Sequence, residues 1–407
     1  MVLAAALSQG TSKISNPLIA QDSEAILRAI TAFGAKTTIS DDCWKIEGTK
    51  QIIFPAEPVD CGESGATLRF MVPVATLANS PSTLLFSGSL ERRPIDPLLK
   101  SLNDLGAQAE VTTVNDKDAV RVFGGGIKGG KTQIAGNVSS QFISGLMFAC
   151  PMAQNDTEIT LTTPLESKDY VKMTADVLAQ HKIRVHIKED FSQIIIPANQ
   201  TYKSHNDQVP GDFSSAAFLL AASAITDSKV KIENLKYQTA QGDRAILEIL
   251  KRMGVEGKVC SDYVEIRGTG EYLKATDVDA SNIPDLVPAC AVLACYARGT
   301  SKIYNAGRLR LKESDRLTSL YIELKNMGAD IIMDEDSLTV KGPSVMYGAM
   351  IDAHNDHRIA MACAVAALRA EGETIIKYAQ CVRKSYPQFF LHLKQLGADV
   401  VGGKFDR

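Results

Sequence analysis

The chain has 407 residues, 45% hydrophobic and 22% charged, with 44 Lys+Arg against 47 Asp+Glu and a formal net charge of −3. These values sit near globular averages and exclude a disordered, collagen-like or strongly basic nucleic-acid-binding chain. At this length two domains are expected. With no apolar run near the ~18–20 residues of a membrane span and no basic leader after Met1, a soluble cytoplasmic protein is expected too. The eight cysteines (43, 61, 150, 260, 290, 295, 363 and 381) are scattered without a C-x-x-C pair or histidines at ligand spacing, so free, largely buried thiols are expected, with neither zinc nor disulfides.

In chain order, a short amphipathic stretch ends repeatedly in a similar stop. The stops fall at Gly34, Gly106, Lys182, Gly254, Gly328 and Gly397, spaced 69 to 76 residues apart, which makes six units of about 70 residues. Glycine reads as a helix end because it enters the left-handed region without a Cβ penalty. Before Gly328, Leu317, Leu320, Leu324 and Met327 form one apolar stripe at helical spacing. Short β-branched runs follow the stops, as at 329–332 and 398–401, so each unit is of α/β type. Three units sharing one core make a plausible lobe. The polar segment 204–211 marks the boundary, dividing the chain into an N-terminal lobe, 1–210, and a C-terminal lobe, 211–407.

Several predicted helices open with polar or charged residues. Arg93-Pro94 precedes 95–105, Ser139-Ser140-Gln141 precedes 142–148, and Ser167-Lys168 precedes 170–178. In the second half, Asp285 follows Ile283-Pro284, Lys312-Glu313-Ser314-Asp315-Arg316 precedes 317–327, and Asp356-His357-Arg358 and Arg383-Lys384 stand before further segments. Unpaired N–H groups at such ends attract phosphate or carboxylate. Taken singly, Ser139, Ser140 and Ser167 read as helix caps, 312–316 as a solvated charged face, and His357 as structural. Recurrence of the arrangement in both halves favours an anion site.

Residues 125–132 fit the expression G-x4-G-K-[ST], and Gly124, Gly126 and Gly129 fit G-x-G-x-x-G. A phosphate loop requires a strand before and a helix after; 133–136 end in another turn, so a β-hairpin turn is expected here.

Five motifs in order, Glu91-Arg92-Arg93-Pro94-Ile95, Ser139-Ser140-Gln141-Phe142, Lys312-Glu313-Ser314-Asp315-Arg316, Asn355-Asp356-His357-Arg358 and Arg383-Lys384-Ser385-Tyr386-Pro387, resemble the 5-enolpyruvylshikimate-3-phosphate synthase family. The resemblance implies an α/β fold of two lobes, each of three βαβαββ units. It implies transfer of the carboxyvinyl group of phosphoenolpyruvate to the 5-hydroxyl of shikimate 3-phosphate, with glyphosate as an inhibitor and no metal or organic cofactor; the two-lobe design needs no partner, so a monomer is expected. By motif, Ser139, Ser140, Gln141, Ser167, Asp285 and Lys312 would hold shikimate 3-phosphate. Gly65, Arg93, Gln141, Arg316, Arg358 and Lys384 would hold phosphoenolpyruvate. Asp285 would take the hydroxyl proton, while Glu313 and Lys384 serve the methylene carbon. The sister family acting on UDP-N-acetylglucosamine uses a loop cysteine, and the comparable stretch 87–93 has none.

The family's opening Lys-Ser-x-x-x-Arg motif precedes the helix that here reads Val2-Leu3-Ala4-Ala5-Ala6-Leu7, so Met1 falls just after it. Two readings follow: the transferase, and a truncated homologue, weak or inactive, that binds anionic metabolites without turnover. A phosphate-loop ATPase is a distant third.

Overall fold

The computed structural model describes residues 1–49 and 51–402. The chain divides into two compact units, Met1–Val209 and a second that begins at Pro210. Each has its own hydrophobic core, running from Leu3 to Tyr202 in the first and from Phe213 to Leu393 in the second.

The first unit holds α1 (Val2–Leu7), α2 (Gln21–Ala32), α3 (Gly65–Ala75), α4 (Asp96–Asp104), α5 (Ser140–Ala149) and α6 (Lys168–Gln180). The second holds α7 (Phe213–Ile225), α8 (Ile246–Arg252), α9 (Val287–Cys295), α10 (Arg316–Asn326), α11 (His357–Ala367) and α12 (Phe389–Gln395). Odd-numbered helices are apolar on nearly every side and are buried; α5, α7 and α9 are buried over almost their whole length. Even-numbered helices bury one stripe and expose the other, as in α10, where Leu317, Leu320 and Leu324 face inward.

Every even-numbered helix ends in the same way. Gly34, Gly106, Lys182, Gly254, Gly328 and Gly397 all have positive φ. The N–H of the next residue reaches back to the carbonyl five residues before it: Ala35 to Ile30, Ala107 to Leu102, Ile183 to Leu178, Val255 to Leu250, Ala329 to Leu324 and Ala398 to Leu393, at 2.9–3.0 Å. This is the Schellman closure, with an apolar residue on each side of the bond. The sixfold spacing in the sequence is therefore a sixfold helix stop in space.

Three sheets of the first unit share one pairing pattern, a parallel pair extended by two antiparallel strands. Val59–Asp60 pairs in parallel with Ser82–Leu85, which pairs antiparallel with Lys117–Val122, itself antiparallel to Ala109–Val114. Gly130–Ile134, Thr157–Leu161, Gln193–Ile196 and His186–Ile187 repeat that order. In the third sheet the parallel partner of Thr11–Ser15 comes from the far end of the unit, Asp207–Gln208, which closes the set of three. In the second unit, Lys229–Glu233 with Tyr263–Arg267 and Glu256–Val259, and Ala297–Tyr304 with Leu338–Gly342 and Asp330–Met333, keep the antiparallel part of the pattern.

Two expectations from the sequence need correction. The glycine-rich turn is not a hairpin, because Lys117–Val122 and Gly130–Ile134 lie in different sheets. Its N–H groups are taken by the chain's own carbonyls: Gly125 donates to Ala78 at 2.8 Å, Gly126 to Thr76 at 2.7 Å and Lys128 to Leu105 at 3.0 Å, tying together the ends of α3 and α4. No helix follows it, so the phosphate-loop reading fails on its own structural condition. Residues 398–401 form no strand; the Schellman bond of Ala398 is made, but no neighbouring strand pairs with the run.

Candidate active site

In the first unit the predicted residues sit at the N-terminal ends of α3, α5 and α6 and in the turn before α4. Ser64 caps α3 by accepting from the Thr67 N–H at 3.3 Å, which places Gly65 at the first helical position. A Cβ built on Gly65 would stand 3.2 Å from Arg93 Nη1, tighter than ordinary contact, and 3.5 Å from Arg69 Nη1, so a side chain here presses on the Arg93 guanidinium. Ser139 caps α5 by accepting from the Gln141 N–H at 3.3 Å, and Ser140 and Gln141 form its first turn. The α6 entry lies beside the α5 entry, because Thr163 Oγ1 accepts from the N–H groups of Gly136 and Asn137 and the Glu166 N–H donates to the Gly136 carbonyl.

Ser167 departs from the cap reading. Its backbone is left-handed (φ 53, ψ 40) and its side chain makes no capping bond, although the residue is buried. A non-glycine residue in that region costs of order 1 kcal/mol and is often found where function requires a particular side-chain placement.

In the second unit the segments 283–286, 312–316, 356–358 and 384 converge on one charge cluster. Asp285 Oδ1 lies 2.9 Å from Arg316 Nη1 and 3.3 Å from Lys312 Nζ, and Oδ2 lies 3.4 Å from Arg358 Nη2. Arg358 also donates to the Asp285 carbonyl at 3.2 Å. Arg316 is 1% exposed. Its Nη2 reaches Glu313 Oε2 at 2.5 Å, and its Nε and Nη2 grip Asp356 at 2.9 and 3.2 Å. Asp356 caps α11 through the Arg358 N–H and accepts from Ser314 Oγ at 3.1 Å. Lys384 Nζ stands 3.9 Å from Glu313 Oε1. The solvated-face reading of 312–316 is thus overturned: Arg316 points inward because three carboxylates compensate its desolvation.

The electrostatics follow from that packing. Burial pushes the Asp285 carboxyl up, but Arg358, Lys312 and Arg316 together hold it well below the ordinary carboxylate range. Burial opposes ionisation of Asp356 too, and Arg316 more than reverses this. Lys312 is shifted down, first by burial and then by the nearby Arg316, against the pull of Asp285. Burial and the adjacent Arg358 push His357 down to about 4, so it is neutral near pH 7.

Sequence reasoning missed two buried charged residues here. Arg69, on α3, donates from Nη1 to Gln141 Oε1 at 2.8 Å and from Nη2 to the Pro94 carbonyl at 3.2 Å. A lone arginine in the otherwise apolar run 65–75 was the available signal. Asp243, which accepts from Ser214 Oγ, is pushed up to about 7 by burial and by the charge of Asp285. Its sequence context, Gln241-Gly242-Asp243, looks like an ordinary turn.

A family model described as EPSP synthase (3-phosphoshikimate 1-carboxyvinyltransferase) matches residues 1–393. The chain belongs to the EPSP synthase family. A 3-phosphoshikimate 1-carboxyvinyltransferase of Methanocaldococcus jannaschii is 40% identical over 403 residues, covering 98% of this chain and 93% of the relative. One from Methanocella arvoryzae is 42% identical over 390 residues, covering 96% and 91%. Among solved structures, the EPSP synthase of Acinetobacter baumannii superposes with a TM-score of 0.81 at 27% identity, over 97% of this chain and 92% of that one. The enolpyruvyl transferase NikO of Streptomyces tendae shares the fold, with a TM-score of 0.77 at 20% identity over 98% and 92%. Among the described residues, no helix is long and apolar enough to cross a membrane.

Proposed function

We propose that this chain transfers the enolpyruvyl group of phosphoenolpyruvate to the 5-hydroxyl of shikimate 3-phosphate and releases phosphate. The observation that carries the reading is Asp285, a half-buried carboxylate ringed by Lys312, Arg316 and Arg358 in a member of this family. Cations so arranged suit a pair of phosphorylated substrates, whose charges at 4 Å and an effective dielectric of 20 repel by ~4 kcal/mol. In this reading Ser139, Ser140, Gln141, Ser167, Asp285 and Lys312 hold shikimate 3-phosphate, and Gly65, Arg93, Gln141, Arg316, Arg358 and Lys384 hold phosphoenolpyruvate.

The reaction is an addition followed by an elimination. Asp285 accepts the proton of the 5-hydroxyl as its oxygen bonds to C2 of phosphoenolpyruvate, while C3 receives a proton from the Glu313 and Lys384 pair. The same pair then removes a proton from C3 as the C2–O bond to phosphate breaks. Before substrates arrive, its cationic neighbours keep Asp285 ionised and weakly basic. Anionic ligands that draw Lys312 and Arg358 toward themselves raise its basicity at the moment of use. We further assign the chain as a cytoplasmic monomer in which glyphosate competes with phosphoenolpyruvate near Gly65 and Ala66.

The test is phosphate release with both substrates present, against an Asp285→Ala control. Turnover that the variant loses by ~10²-fold or more supports the transferase. No release above the control would favour the reading as a binder without turnover.

A further inference from the structure

Arg69 is not among the ligand residues proposed above, yet it joins three of the segments that carry them. It rises from the second turn of α3, whose first residue is Gly65. One Nη donates to Gln141 in the first turn of α5, and the other to the carbonyl of Pro94, next to Arg93. The guanidinium also lies 5.1 Å from the centre of the Phe142 ring, and the residue is 4% exposed. Burying an arginine this deeply is costly unless its donors are satisfied, and two of them are spent here on the neutral oxygens of Gln141 and Pro94, in a place where anions are to be bound.

The bond to Gln141 also fixes which way the amide points. Arginine has no acceptor, so the amide atom 2.8 Å from Arg69 Nη1 must be the oxygen. With Oε1 held there, Nε2 is the atom left for anything else the side chain meets, and Nε2 can only donate. An unrestrained glutamine could instead turn its oxygen toward an anion and repel it.

We propose that Arg69 is a positioning residue for phosphoenolpyruvate binding: it locks Gln141 as a donor through Oε1 and anchors the Arg93 turn through the Pro94 carbonyl. This rests on the assignment of Gln141 and Arg93 to the phosphoenolpyruvate site. Arg69 itself touches no substrate in this scheme, so its effect passes through other side chains and appears in the KM for phosphoenolpyruvate more than in kcat.

The experiment is a double-mutant cycle on the full chain, with KM for each substrate and kcat measured for the wild type, Arg69→Lys, Gln141→Ala and the double variant. Each single variant is expected to raise the KM for phosphoenolpyruvate by roughly 10-fold, and the double variant by about as much as the worse single rather than by their product. Multiplying effects, or an unchanged KM in Arg69→Lys, would overturn the proposal. Gln141→Glu tests it without disturbing Arg69: the carboxylate keeps the bond but removes the Nε2 donor, so the variant should fold stably and still lose affinity for phosphoenolpyruvate, and unchanged affinity would count against it. The Gln141 side-chain amide resonance, identified by its absence in Gln141→Ala, gives a readout independent of turnover. It should move in Arg69→Lys even if the wild type released no phosphate, a result that would sink the proposed function alone; an unmoved resonance would sink the role of Arg69.

Discussion

Arg316 and Asp356 meet through a two-point ion pair, Nε to Oδ2 at 2.9 Å and Nη2 to Oδ1 at 3.2 Å, with both side chains out of contact with water. The pair joins the N-terminal end of α10 to that of α11 and so fixes where Arg358 and Glu313 stand. Losing one partner of such a buried pair typically costs ~3–5 kcal/mol, because the other charge is stranded. Asp356→Ala should therefore lower the unfolding free energy obtained from urea denaturation by an amount in that range. A loss below ~1 kcal/mol would mean that Glu313 and Asp285 alone neutralise Arg316.

The pH dependence of stability divides by sign. Asp285 and Asp356 have lowered folded values, so their contribution is fully present above the ordinary Asp value of ~3.9 and is lost as pH falls toward the folded values. Asp243 acts the other way: with its folded value pushed up to about 7, the folded state holds the extra proton, and stability falls as pH rises from ~3.9 through 7. Asp243→Asn should flatten that decline and stabilise the chain at pH 8, a gain visible in melting temperature against pH. Identical profiles for the variant and the wild type would exclude the effect.

At Gly65 the added methyl group of an alanine would sit 3.2 Å from Arg93 Nη1, tighter than ordinary van der Waals contact. Gly65→Ala should fold normally but displace that guanidinium. The KM for phosphoenolpyruvate is expected to rise by roughly 10-fold, a transition-state loss of about 1.4 kcal/mol, with the KM for shikimate 3-phosphate changing less. Equal changes in both would place Arg93 elsewhere in the reaction.

Lys182 is the exception among the six helix stops, a side-chain-bearing residue at φ 66 where the others are glycine. Left-handed backbone costs such a residue ~1–2 kcal/mol, against ~0.5–1 kcal/mol of extra chain entropy for glycine. Lys182→Gly should then be neutral to stabilising by up to ~1 kcal/mol in denaturant unfolding. The reverse change, Gly328→Ala at φ 100 with its Cβ 2.7 Å from the Val345 carbonyl, should destabilise by more than ~1 kcal/mol.

What the sequence determined by itself was the repeat and the reaction class. A helix stop is a local event: φ above zero at one residue and a bond five residues back need nothing from the rest of the chain, so Gly34 to Gly397 could be read from spacing alone. The motifs around Arg93, Ser139, Lys312, Asp356 and Lys384 were legible for the same reason, each being a contiguous run at an element's start. Tertiary structure decided everything that depends on which segments meet. The glycine-rich turn had the composition of a hairpin, but its strands joined separate sheets and its N–H groups closed the ends of α3 and α4. Arg316 had the spacing of a surface charge, and it became an interior one because Asp285, Glu313 and Asp356 surround it from three segments distant in sequence or one turn away. Arg69, 72 residues from Gln141, acquired its place only when α3 packed against α5. Desolvation makes such partners necessary, and sequence spacing cannot say who they are, because burial and distance are properties of the folded chain.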